Sequence, residues 1–87
     1  MTPEQEQRLT AAFTDEVFFT LPEHAQVIVE ELHLHRRYLH QFDWRTKFEH
    51  IYKREDREQF RDGLEEDIAN YERQFKAEVL PLLEARA

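Results

Sequence analysis

The chain has 87 residues, of which 36% are charged and 13% aromatic, with a formal net charge of −7 and no cysteine or serine. These absences remove disulfides, thiolate metal sites and Cys or Ser nucleophiles, and Gly63 as the single glycine leaves no material for a P-loop or a dinucleotide fingerprint. A chain this short closes one core, and one glycine disfavours the turns of a sheet, so the expectation is a single all-α domain over residues 1–87.

The predicted elements follow in order. Thr2-Pro3-Glu4-Gln5 has a capping threonine, a proline at the first helical position and glutamine at the capping-box place, so a helix is expected over 3–19, with Leu9, Phe13 and Val17 on one face. Thr20-Leu21-Pro22-Glu23 reads as a second start, for a helix over 21–42. Its apolar stripe is Leu21, Ala25, Ile28, Leu32, Leu39 and Phe42, with His35 inside it, and Val27, Leu34 and Tyr38 form a flanking row. Beyond Phe42 the apolar residues Trp44, Phe48, Ile51 and Tyr52 are displaced by two positions, roughly 200° around a helix axis. That offset predicts a break near Asp43 and a new helix over 44–54 capped by its side chain.

In the last segment Phe60, Leu64, Ile68, Tyr71, Phe75, Val79 and Leu82 recur every three or four residues. They predict a helix over 56–80, weakened at Gly63 or starting afresh at Asp62, and stopped or kinked before Pro81, with 81–87 as a tail. The expected architecture is a small antiparallel bundle of three to four helices.

Charge runs acid, base, acid along the chain. Residues 1–32 hold seven acids and one base, 33–54 two acids and six bases, and 55–87 ten acids and five bases. In the central segment Arg36, Arg37, Tyr38, Trp44, Arg45 and Phe48 combine aromatic anchors with cations. These residue types are enriched where proteins grip each other, and these six are the candidate partner-binding residues. The same stretch resembles a nucleic-acid surface in composition, with bases stacking on rings and phosphates meeting arginines, but the overall negative charge opposes a polyanion.

A metal-binding bundle is a further alternative. Glu30 and His33 have the Glu-x-x-His spacing of carboxylate-bridged di-metal bundles, and His40 falls on the same helix face; no second such motif is present. His33 and His35, two apart, cannot chelate as neighbours. No cofactor is expected. The acidic clusters sit on wet helix faces instead of around a cleft, so no enzymatic activity is expected either.

The longest apolar runs, VFF and VIV, are far short of a membrane span, and the first ten residues lack the basic and apolar regions of a secretory signal. A cytoplasmic protein with no membrane association is therefore expected. Eleven aromatic residues are much for one small monomer to hide, which favours a homodimer. The function expected is that of a non-enzymatic interaction module (adaptor, inhibitor or regulatory subunit) that binds another protein through its basic, aromatic helical surface.

Overall fold

A computed structural model describes the backbone of residues 1–48 and 54–86, and the side chains of 1–45 and 56–86. Helix α1 (Pro3–Ala12) is followed by one turn, α2 (Asp15–Phe18), and by the long α3 (Glu23–Phe48). The chain returns through α4 (Arg54–Gln74), a π-helical turn (Phe75–Val79) and α5 (Leu80–Glu84). Contacts pair early α3 with late α4 and the reverse: Arg36 meets Glu72 and Asp43 meets Arg61. Glu6 and Phe13 of the α1 segment meet Arg36 and His33, again antiparallel. The chain therefore forms the expected small antiparallel all-α bundle, with no strand among the described residues.

Local chemistry explains the ends of α1. The amide of Gln5 donates to Thr2 Oγ1 (3.2 Å) and the amide of Thr2 donates to Gln5 Oε1 (2.9 Å), completing the capping box, with Pro3 at the first position. The helix stops at Ala12, not at residue 19. Thr14 is extended (φ −79°, ψ 146°), its hydroxyl donates to the carbonyl of Ala11, and Asp15 and Glu16 supply the negative charge favoured at a new N-terminus. The break turns Val17 and Phe18 back against the core, while Phe13 stays at the surface.

Thr20 does not cap α3. Its hydroxyl donates backward to the carbonyl of Val17 (2.6 Å), and α3 starts at Glu23, two residues later than expected. Pro22 keeps Leu21 out of helical geometry, and Gln26 Nε2 donates to the carbonyl of Leu21 (3.0 Å). The predicted break near Asp43 is absent, since α3 runs unbroken through it to Phe48. Asp43 accepts from Arg61 of α4 (2.9 Å and 3.3 Å) instead of capping a new helix. Of the displaced apolar set, Trp44 stands on an outward side of the same rod, 61% exposed. Residues 49–53, which belong to the predicted helix 44–54, lie outside the described residues.

The return segment keeps Gly63 inside one helix, as the reading of 56–80 expects, with no fresh start at Asp62, since α4 begins at Arg54. It differs beyond Pro81, where the residues are no loose tail because Leu83 is buried. Proline inside an α-helix clashes with the carbonyl four residues back. The turn ahead of Pro81 is instead wound as a π-helix, with the amide of Leu80 donating to the carbonyl of Phe75. The helix thereby passes the proline and carries Leu80 and Leu83 into the core.

The core is confined to one end of the molecule. Leu9 and Ala12 of α1, Leu21, and Ala25, Ile28, Val29 and Leu32 of α3 pack on Ile68, Phe75, Val79, Leu80 and Leu83. Phe75, Leu32, Val29 and Val79 are fully enclosed, and each such burial contributes about 1.5–3 kcal/mol. By its 26 residues α3 is roughly 39 Å long, whereas α1 with 10 covers roughly 15 Å. Beyond Leu39 and before Leu64, α3 and α4 therefore run on as a two-helix arm, consistent with the 47 × 24 × 21 Å dimensions.

Candidate interaction surface

The six sequence-predicted residues do not form one patch, because α3 sends them in three directions. Arg36 points into the bundle. Its guanidinium donates to both carboxylate oxygens of Glu6 (2.7 and 2.8 Å) and to Glu72 (2.8 Å), tying α1, α3 and α4 together. Hydrogen bonding to Arg36 holds the Glu6 carboxyl below its ordinary range, partly opposed by burial. The reciprocal bond from Glu6 raises Arg36, with Glu72 adding to it. Arg36 therefore fastens the fold and is no part of an open contact surface.

Arg37 and Trp44 are seven apart, share one outward line of α3, and are both exposed. Tyr38 and Arg45, also seven apart, share another. The Phe48 side chain lies outside the described residues, as do those of Lys47, Lys53 and Arg54 from the basic segment. Leu34 and Tyr38 each stand two positions from Arg36, roughly 160–200° around the helix, so their line is turned away from α1.

On that turned-away side, the seam between α3 and α4 opens into a groove of about 380 Å³ lined by Tyr38, Gln41, Phe42, Arg45, Asp56 and Phe60. Phe42 and Phe60 meet across the seam with ring centroids 4.9 Å apart. Further along, His35 lies 4.8 Å from the Tyr71 ring and 5.9 Å from that of Tyr38. Its Nδ1 donates to the carbonyl of Glu31 (2.7 Å), placing this histidine at the edge of the core. Tyr38 is 48% and Phe60 58% exposed, an unusual condition for rings at a helix–helix seam. Among the described residues, Arg45 and Asp56 at the groove's margins form no ion pair with a neighbour.

Phe60, Gln41 and Asp56 were not singled out as site residues from the sequence. Phe60 falls on the periodic face of α4 and reads as core; it is 58% exposed because, among the described residues, nothing covers the seam on the side turned away from α1.

Glu30, His33 and His40 do not gather into a metal site. His33 packs its ring on Phe13 (4.4 Å), and no group of three or more His, Asp or Glu among the described residues is placed to hold an ion. The basic segment likewise forms no continuous cationic strip there: Arg36 is bound internally, and Arg45 shares its groove with Asp56. No helix among the described residues is long and apolar enough to cross a membrane.

No protein-family model, curated protein or solved structure matches this chain. The functional reading therefore stands on its own residues.

Proposed function

We propose that this protein acts by docking to other protein chains, as an adaptor, inhibitor or regulatory subunit without catalysis of its own, and that the arm of the α3–α4 hairpin is its contact element. The observation that supports this is the exposed aromatic seam. Tyr38, Phe42 and Phe60 line an open groove where, among the described residues, two helices run without a third, and the groove is fringed by a cation and a carboxylate. Buried aromatic anchors inside a polar rim are the general anatomy of protein interfaces. A groove along a helix pair suits the apolar stripe of another helix. Arg37 and Trp44 provide a second, outward line on the same arm.

The test is crosslinking from a photoreactive residue at Gln41 inside the native host, compared with the same residue at Thr10 on exposed α1. Adducts to protein are expected from position 41 alone and should vanish with Phe60→Glu while the helical circular-dichroism signal is kept. Equal labelling from both positions, or adducts that survive Phe60→Glu, would reject the arm as the contact element.

A further inference from the structure

We infer that the groove on the α3–α4 arm is covered by a second copy of this chain, related by a two-fold axis running along the hairpin, so that α3 of each copy packs on α4 of the other and the arms close into a four-helix core. This rests on the reading of the arm as a contact element and names its occupant.

Charge is the first argument. Across the described arm, α3 residues 37–45 carry Arg37 and Arg45 against Asp43, while α4 residues 56–67 carry six acids against two bases. A partner helix laid over α3 must therefore be acidic, and one laid over α4 must be less acidic or basic. The chain itself offers both in the right order, because an axis along the hairpin exchanges α3 and α4 at constant height. Phe42 faces Phe60 and Asp43 faces Arg61 across the seam, so Arg45 and Asp56 stand at nearly the same level. The axis then sets Arg45 of each copy opposite Asp56 of the other, and these are two groups that pair with no neighbour among the described residues.

Gly63 is the second argument. It sits within α4, where glycine is disfavoured relative to alanine, and a Cβ there would meet nothing within 4 Å. The monomer gives no packing reason for it. It lies three residues after Phe60 and seven after Asp56, on the side of α4 that borders the groove, where a missing side chain lets another helix approach closely.

Area is the third. From Val27 to Arg45 the turned-away side of α3 shows Val27 (50% exposed), Leu34 (36%) and Tyr38 (48%). That face, which continues from the arm back along α3 to Val27, is roughly 27 Å long and two helices roughly 20 Å wide, about 500 Å² in projection. Side-chain relief brings it toward the roughly 800 Å² per partner that a standard interface buries.

The experiment is sedimentation equilibrium of the full chain across the micromolar range, with Arg45→Glu, Asp56→Arg and their mixture. The wild type is expected at twice the 10.7 kDa chain mass. Each single variant should dimerise about tenfold more weakly or worse, while the equimolar mixture recovers a dimer, since both cross-contacts become attractive. Both variants should keep the wild-type helical signal, which excludes loss of folding as the cause. A dimeric wild type whose mixture shows no recovery overturns the two-fold arrangement, and a monomeric wild type overturns self-pairing. In the monomeric case a hydrophobic dye separates the two levels. Dye binding lost with Phe60→Glu leaves the groove a docking site for a different chain, whereas no dye binding removes the contact reading as well.

Discussion

Arg36 is the joint on which three helices depend, and its removal gives the most stringent test of the fold described above. In Arg36→Met the aliphatic stem keeps its packing while three charge-assisted hydrogen bonds to Glu6 and Glu72 are lost. Such bonds contribute about 1.5–3 kcal/mol when shielded and under about 1 kcal/mol when exposed. The Arg36 side chain is 30% exposed, that of Glu72 25% and that of Glu6 42%, so the shielded figure must be discounted. A loss of about 2 kcal/mol is expected, equivalent to a fall in Tm of roughly 8–16 °C for a domain of this size. Combined with Glu6→Gln in a double-mutant cycle read by urea unfolding at pH 7, a coupling of about 1 kcal/mol should remain. Because the Glu6 carboxyl is held below its ordinary value of 4.5, its contribution is complete above that pH and is lost as pH falls through the lower folded-state value. The coupling should therefore weaken as pH falls below the ordinary carboxylate range and disappear once Glu6 is protonated in the folded state. A coupling below about 0.3 kcal/mol at pH 7, or one unchanged in acid, would refute the account of Arg36 as an ionic fastener.

Further predictions concern the elements around it. Asp43→Ala should cost less than about 1 kcal/mol, because its exposed pair with Arg61 is weak; a loss near 2 kcal/mol in chemical denaturation would restore a capping role. Leu83→Ala should destabilise by about 2–4 kcal/mol, as befits a buried core residue, and a melt unchanged by it would return residues 81–87 to the status of a tail. In a Phe60→Glu background that keeps the chain monomeric, Gly63→Ala should raise stability by up to about 1 kcal/mol, since the added methyl meets nothing. Without that background the same substitution should weaken self-association in the ultracentrifuge.

What could be read from the sequence was what depends on near neighbours. The capping box of Thr2 and Gln5 involves residues three apart, and the stripe Ala25, Ile28 and Leu32 announces its own buried face. Sequence and structure part where a distant residue decides the outcome. Asp43 has the chemistry of a cap, but Arg61, eighteen residues on, takes up its carboxylate and the helix continues. Arg36 has the composition of a binding residue, yet Glu6 and Glu72 arrive from two other helices to hold it inside. Of the candidate surface, Tyr38 and Arg45 were legible from residue type. Phe60 and Asp56 were not, because a helical stripe marks an apolar face without telling whether another helix covers it.

The wide turn between Phe75 and Val79 has a consequence for how this region tolerates change. A turn that closes on the fifth residue brings Leu80 round beneath Phe75, and both are enclosed. Side chains at Lys76, Ala77 and Glu78 face water, so swaps among them alter little. Removing any one of the three is another matter. It would rewind the turn to ordinary pitch, which keeps Leu80 beneath Phe75 but presses Pro81 against the carbonyl behind it. The length of this turn matters more to the packing than the kinds of side chain it carries.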